Sequence, residues 1–220
     1  MQKRHLALAL MLTAACGIAL NAQTTRKASV VYVPKVKGQS KQRTDGATRG
    51  GVEAPPPVVR VLTPEETALV ASNKPTLYWY IDKPTRYRCD VLVKTIEDEP
   101  VFQQQFQGVQ SGGLVAIDMS KTGKKLEPGK DYRFVVLVTV DPKEPASDIE
   151  SSGTIRYEAP APDVQQSLAS GGALDKAAAY AANGYFTDAV ATLATDGSPE
   201  SKATLTELLA QVKLNVQTKP

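Results

Sequence analysis

Apolar and polar residues alternate through the middle of the chain with a period of two, which is the pattern of half-buried β-strands. Seven short runs show this alternation, and connectors rich in turn-forming residues separate them. The predicted strands span residues 58–62, 76–81, 87–94, 101–106, 114–119, 132–140 and 154–158. Seven short strands within about 100 residues are typical of a β-sandwich.

Two local features narrow the type of sandwich. Residues 126–134, LEPGKDYRF, resemble the tyrosine corner of immunoglobulin-like and fibronectin type III domains. In that corner a tyrosine at the start of a strand, here Tyr132, sends its hydroxyl group back to the backbone of the preceding loop. Trp79 shares a strand face with Leu77 and Ile81, where such sandwiches keep a core tryptophan. We therefore predict an immunoglobulin-like or fibronectin-III-like sandwich over residues 58–158.

The period changes to that of helices after residue 158. A breaker-rich hinge, Ala-Pro-Ala-Pro, precedes predicted helices over 174–182 and 185–194, and a third helix from an N-cap at Ser198 to about residue 212. Residues 181–190 resemble the middle of a tetratricopeptide repeat, with Gly184 at the turn between two helices. A single repeat-like unit predicts a helical module packed on the sandwich. The predicted fold class is thus α+β, mainly β, with a small C-terminal helical hairpin module over residues 159–220.

The first 22 residues have the pattern of a cleaved signal peptide. Lys3 and Arg4 precede an uncharged, mostly apolar run over residues 6–20, which is too short for a comfortable membrane span. We expect cleavage after Ala22, and the alternative is a lipoprotein signal with Cys16 as the lipidated residue. Either signal predicts export to the periplasm or cell envelope of a bacterium, with release to the outside as a further alternative.

Residues 23–57 differ in composition from the rest of the chain. They contain seven basic and two acidic residues, are rich in Thr, Ser, Gly and Gln, and end in three prolines. Such a segment buries too little apolar surface to offset its ordering entropy, so we predict a flexible basic tether. The tether is either a solvated linker or a contact for anionic lipid headgroups or surface polymers.

Histidine and cysteine usage excludes several kinds of chemistry. The single histidine, His5, lies in the predicted signal peptide, so the mature chain would keep Cys89 and no histidine. Ser-His-Asp and Cys-His catalysis and His-ligated zinc are therefore excluded. Cys89 alternates with Val91 and Val93, which predicts a buried, inert thiol, with an intermolecular disulfide or a reactive thiol as the alternative.

Other candidate chemistry is weak. The acidic residues fall in predicted loops, and the chain lacks a phosphate-binding glycine motif, a calcium-loop spacing and a nucleic-acid-binding platform. The formal net charge of +3 is too small to indicate a polyanionic partner. We expect no catalytic residue, no cofactor, no metal and no nucleic acid.

Two functional hypotheses follow. The first is a non-catalytic adaptor for another envelope protein, which would use edge strands for strand addition and a groove near Tyr180, Tyr185 and Phe186. The alternative is a carbohydrate- or surface-polymer-binding module, in which Tyr78 and Tyr80 face outward and stack on sugar rings.

Several short motifs in a fixed order also indicate a family. They are GATRG at 46–50, LTP at 62–64, NKPTLYWY at 73–80, LEPGKDYR at 126–133 and the helical stretch at 184–193. In this order they resemble the bacterial Domain of Unknown Function family 928 over roughly residues 46 to 215. The resemblance implies an exported bacterial protein and carries over no catalytic residue.

Overall fold

The computed structural model describes residues 29–36, 56–214 and Val216, and within them the chain is mainly β with a helical C-terminal part. The strands are β1 Val59–Val61, β2 Ala68–Val70, β3 Thr76–Ile81, β4 Thr85–Thr95, β5 Pro100–Val109, β6 Gly113–Asp118, β7 Asp131–Thr139 and β8 Ile149–Tyr157. The α-helices are α1 Pro162–Ala169, α2 Ala173–Ala182, α3 Phe186–Asp196 and α4 Pro199–Gln211. The α+β, mainly β class is confirmed.

The strands form two sheets. One has the order β1-β3-β6 and is antiparallel, and the other has the order β2-β8-β7-β4-β5. In the second sheet β2 runs parallel to β8, whereas the remaining neighbours are antiparallel. The connection from β5 to β6 carries the chain from the outer edge of one sheet to the outer edge of the other.

All seven predicted strands form, but two further elements, one strand and one helix, were not predicted from the hydrophobic pattern. Ala68–Val70 is a three-residue strand with all its residues buried, so it shows no alternation. In Pro162–Ala169 only Val164 is buried, so the apolar stripe that identifies a helix is absent. Both elements form because of tertiary contacts: β2 pairs with β8, and α1 contacts α2.

The two sheets share a core. Alternate residues of β3, β4 and β7 are fully buried in one cluster, namely Leu77, Trp79, Ile81, Cys89, Val91, Val93, Phe134, Val136 and Val138. The predicted core face of β3 and the buried thiol of Cys89 are therefore confirmed. Burial, together with the nearby charge of Asp90, raises the pKa of the Cys89 thiol to about 11, so the thiol stays protonated at neutral pH.

The contact predicted for Tyr132 is also confirmed. Its ring is buried, and its hydroxyl oxygen accepts a hydrogen bond from the backbone N–H of Glu127 at 3.0 Å. This bond ties the start of β7 to the loop before it, as the sequence pattern indicates.

The helices continue the same core. α3 contacts β2 and β3, and its buried residues Phe186, Ala189, Val190 and Leu193 belong to the same cluster as the core residues of the two sheets. The predicted N-cap of α4 is confirmed, because the Ser198 side chain accepts a hydrogen bond from the Ser201 N–H at 3.2 Å. Sheets and helices are thus built around one continuous apolar core.

Residues 29–36, which we call the strap, have no regular secondary structure and lie against the helices. This differs from the flexible tether that was predicted for residues 23–57. The run 30–33 is apolar apart from Tyr32, and Val30 is only 5% exposed, so part of the segment buries enough surface to be held. The rest of the predicted tether up to residue 55, the predicted signal peptide and Cys16 lie outside the described residues.

Candidate functional site

The strap is held by its backbone in a crevice between α2, α3 and α4. The N–H of Val33 donates to the carbonyl oxygen of Ala181 at 3.0 Å. The Gln211 side chain on α4 contacts the strap twice: its Oε1 accepts from the Tyr32 N–H at 2.9 Å, and its Nε2 donates to the Val30 oxygen at 2.8 Å. Backbone groups of a peptide segment need such partners when they leave water.

Side chains of the strap contact the helices at two further points. The Tyr32 ring meets the Phe186 ring edge to face, with centroids 5.0 Å apart and an interplanar angle of 74°. Val36 packs against a small apolar cluster built on Leu69, Val164 and Tyr185. An aromatic pair of this geometry stabilises a contact by about 0.5–1.5 kcal/mol beyond its buried area.

Gly184 allows the strap to pass over the turn between α2 and α3. Its φ is +84°, the left-handed region that favours glycine, and a Cβ at this position would lie 2.8 Å from Cγ of Lys35. The Gly184 carbonyl oxygen accepts from the Leu69 N–H at 3.2 Å, which joins the same turn to β2. One glycine therefore brings together the helix pair, the strap and the edge of the sheet.

The structure brings the three predicted groove residues together but covers them. Phe186 is fully buried, Tyr185 is 5% exposed, and Tyr180 is half-buried with its ring edge-on to Tyr185 at 6.2 Å. An open groove at these residues was expected and is wrong for this structure, because Tyr32 covers Phe186 and the cluster around Val36 covers Tyr185.

The outward-facing tyrosines predicted on β3 require a correction. Tyr80 is only 8% exposed, and Tyr78 is partly buried against the core. A bare sheet would expose this face to solvent, but α3 packs on β3. These two rings therefore do not form an open platform for sugars.

Asp188 on α3 is a site residue that the sequence analysis missed. Its carboxylate Oδ2 accepts a hydrogen bond from the Ala71 N–H at 2.9 Å, just after β2 ends. Desolvation raises the pKa of Asp188 to about 7, although hydrogen bonds from the Ala71 N–H and from its own N–H act in the opposite direction. The signal in the sequence was a lone carboxylate among the apolar residues at the start of α3.

Asp188 opens onto a cleft of about 520 Å³ between the loop after β2, α2 and α3. Tyr180 contributes an aromatic ring to the wall, Lys74 and Lys176 contribute positive charge, and Thr192 contributes a hydroxyl group. Burial and the charge of Asp188 raise the pKa of the Tyr180 phenol, so this phenol stays protonated and can donate a hydrogen bond. The cleft offers hydrogen-bonding groups of both polarities beside one aromatic surface.

Neither a metal-binding cluster nor a membrane-spanning helix is present in the part of the chain that the structure describes. It contains no group of three or more His, Cys, Asp or Glu side chains arranged to hold a metal ion. None of its helices is both long enough and apolar enough to cross a lipid bilayer.

Comparisons with known proteins identify a family but no activity. A family model described as "Domain of Unknown Function (DUF928)" matches residues 44–220. No curated protein matches the chain. Among solved structures, the crystal structure of an engineered protein is 15% identical over 47% of this chain and 20% of its own, with a TM-score of 0.32. A TM-score of that size carries no argument about fold or function.

Proposed function

We propose a non-catalytic, protein-binding role in the bacterial cell envelope for this chain, which belongs to the family described as Domain of Unknown Function DUF928. The family description names no activity, so the proposal rests on one observation. The helices hold a peptide segment without regular secondary structure, the strap, by its main chain and by one ring. Main-chain hydrogen bonds give affinity for an extended peptide, and side-chain contacts give selectivity.

The strap indicates what kind of partner segment the crevice would take. Gln211 bonds main-chain atoms on both sides of Val31, which is itself 52% exposed, and the ring of Tyr32 lies on Phe186. A partner segment that competes with the strap would therefore be extended and would carry an aromatic residue at the position of Tyr32. In this proposal the strap is an internal ligand that a partner displaces.

The proposal includes a finer description of the fold and a location. We propose that the two sheets form an immunoglobulin-like sandwich, which is supported by the strand orders β1-β3-β6 and β2-β8-β7-β4-β5 and by the Tyr132 contact. Export is supported by the signal-peptide pattern of the first 22 residues.

A labelled peptide with the sequence of residues 29–36 tests the crevice. In the full-length chain the tethered strap competes with it at an effective concentration of about millimolar order. We therefore expect the peptide to bind the variant Tyr32→Ala, measured by fluorescence anisotropy, and to bind the unmodified chain far more weakly. Val31→Ala is the matched control, because Val31 is 52% exposed. A folded Tyr32→Ala chain that leaves the peptide unbound would contradict the proposal.

Cross-linked recovery from native cell envelopes tests the adaptor role itself. Full-length Tyr32→Ala chain should recover one envelope protein in larger amount than the unmodified chain or Val31→Ala does, because its strap is bound more weakly and is displaced more easily. The helices share the core with the sheets, so point variants are preferable to a chain truncated after β8. Equal background recovery by all three baits would refute an adaptor that works through this crevice.

A second candidate is binding of a surface polymer, which the cleft at Asp188 favours over the face of β3. Tyr180 supplies a ring, while Asp188, Thr192 and the two lysines supply hydrogen bonds and charge. Titration with cell-surface glycans should then shift the NMR signals of Tyr180 and Thr192 in the unmodified chain but not in Tyr180→Ala. Signals that stay unchanged in both chains exclude this candidate.

A further inference from the structure

β5 is an edge strand that carries no charge. It is the outermost strand of the five-stranded sheet, and among the described strands it is paired with β4 alone. Its ten residues, PVFQQQFQGV, include no Lys, Arg, Asp or Glu. The side chains of Gln103, Gln104 and Gln105 are exposed. The backbone groups on the outer side of such a strand are available to pair with another strand.

The middle of β5 itself carries none of the usual protections of an edge, although Lys121 and Lys124 line a cleft beside residues 100–104. Proteins blunt exposed edges with charges, prolines, bulges or very short strands. Pro100 stands only at the first position of β5, and the register shifts against β4 lie on either side of the segment 102–107. Between these shifts the pairing with β4 is regular, from Phe102 opposite Val93 to Gln107 opposite Arg88.

The sequence of this segment is palindromic. Residues 102–106 are Phe-Gln-Gln-Gln-Phe, so the strand is identical in both directions about Gln104. A two-fold axis at Gln104 would place Phe102 opposite Phe106 of a second copy and Gln103 opposite Gln105 of that copy. Two-fold interfaces must be self-complementary, and glutamine side chains in register hydrogen-bond to each other.

Charges at the two ends of β5 favour the antiparallel arrangement. The acidic turn of Glu97, Asp98 and Glu99 is exposed at the start of the strand. The backbone of Arg86 lies beside Gly108 near the other end, and Arg88 on β4 is opposite Gln107. Within one copy, Asp98 already pairs with Lys94 and Arg133, and Arg88 pairs with Asp90. Antiparallel pairing of two copies therefore brings Glu97 and Glu99 toward the end of the partner strand that lies beside Arg86, whereas parallel pairing would place like charges together.

We propose that β5 is a homodimer interface, in which two copies pair antiparallel about Gln104 and join their five-stranded sheets into one sheet of ten strands. The inference is independent of the proposed peptide crevice, because Ala181, Phe186 and Gln211, which hold the strap, lie on α2, α3 and α4 and not on β5. The dimer would keep both crevices available.

Disulfide trapping tests the position of the axis. Directly opposite residues have Cα atoms about 4.5–5.5 Å apart, within the range that a disulfide spans. In a Cys16→Ser background, Gln104→Cys should therefore form a covalent dimer on oxidation. Gln103→Cys is the matched control: the two copies of residue 103 would be diagonal, about 8 Å apart, and too far apart to bridge. Cys89 is fully buried, so it should not form a cross-link between copies.

Sedimentation equilibrium of the unmodified chain should give twice the mass of one chain, with dissociation on dilution.

Charged substitutions at the two-fold axis test the same interface. Gln104→Lys places like charges on the axis and should weaken the dimer about two- to fivefold. Mixing Gln104→Lys with Gln104→Glu should restore dimerisation. Gln166→Lys, an exposed glutamine of α1, adds the same charge elsewhere and should have no effect. A monomer at every concentration, cross-linking at 103 instead of 104, or a dimer in which neither cysteine cross-links would each overturn the proposal.

Discussion

Tyr32 joins the strap to α3 through its ring, while its hydroxyl oxygen is buried without a hydrogen-bond partner among the described residues. Burial and the nearby charge of Glu66 raise the pKa of this phenol, so it stays protonated at neutral pH. A buried polar atom without a partner costs free energy, whereas the ring contact is favourable. The ring and the hydroxyl group therefore make opposite contributions to strap binding.

Substitutions at Tyr32 separate these two contributions. Tyr32→Phe keeps the ring and removes the unpaired hydroxyl group, so strap binding should be unchanged or strengthened by up to about 1 kcal/mol. Tyr32→Ala removes the aromatic pair and should weaken strap binding by about 1–2 kcal/mol. Hydrogen exchange of the Val33 N–H, which bonds Ala181, reports this directly. Faster exchange in Tyr32→Phe than in Tyr32→Ala would contradict the assignment.

Asp188 should make stability depend on pH. Its pKa is about 7 in the folded chain and about 3.9 in an unfolded one, so the folded state holds the proton more tightly. Stability therefore falls as pH rises from about 4 to about 7, by up to about 4 kcal/mol, and is constant above that range. The titratable groups that face Asp188 are Tyr180 and Tyr185, and Lys74, Lys176 and Asp196 line the same cleft.

Asp188→Asn removes this titration and keeps an oxygen that can accept the Ala71 N–H. Urea unfolding at a series of pH values should show a much smaller loss of stability between pH 4 and 7 in the variant than in the unmodified chain. Asp163→Asn, an exposed carboxylate on α1, serves as the control and should retain the slope. Parallel pH profiles for the unmodified chain and Asp188→Asn would show that Asp188 is not the group that titrates.

Periodicity predicts some of these residues and not others. Trp79 and Cys89 were placed correctly because each lies on an apolar face that repeats every second residue. The raised pKa of Asp188 results from burial by tertiary packing, and its hydrogen-bond partner Ala71 lies 117 positions earlier in the chain, so no local pattern shows either. Tyr80 was misplaced for the same reason, since its burial requires α3 to pack on β3.

At the scale of elements, the turn at Gly184 holds the helix pair and the strap together. Alanine at this position would have an unfavourable positive φ, which costs about 1–2 kcal/mol, and its Cβ would clash with Lys35. Gly197 ends α3 with a φ of +62°, and a Cβ there would meet nothing closer than 3.9 Å. Both glycines therefore have a positive φ, but only at Gly184 would an added Cβ clash with the strap.

Gly184→Ala should consequently destabilise the chain more than Gly197→Ala does. We expect Gly197→Ala to lose about 1 kcal/mol in urea unfolding, and Gly184→Ala to lose more and also to expose the strap to proteolysis. Equal losses from the two substitutions, with the strap still protected, would mean that Lys35 moves aside at no cost.

The strap itself was missed because composition averages over a segment. Residues 23–57 are basic and polar as a whole, and that average predicted disorder for all of them. The short run 30–33 is an exception within it, and it finds partners on α2, α3 and α4. A segment of this length carries too little apolar surface to be recognised without the crevice that receives it.

At the scale of the whole molecule, a continuous core means that the sheets and the helices should unfold together. The sequence favoured a boundary near residue 158, where the period changes, but Phe186, Val190 and Leu193 of α3 lie in the same cluster as Trp79. Trp79 is the single tryptophan, so its fluorescence reports the sheets, while circular dichroism at helical wavelengths reports α1–α4. We expect one transition with coincident midpoints for both probes.

The substitution Leu208→Ala tests whether the sheets and the helices unfold as one unit. Leu208 is fully buried on α4, far along the chain from Trp79, and its truncation should cost about 2–5 kcal/mol. In a single cooperative unit the substitution moves the tryptophan transition and the helical transition by the same amount. In two independent units it moves only the helical one, and Trp79 keeps its midpoint. Separate midpoints would restore the boundary near residue 158, and the crevice could then be studied on the helices alone.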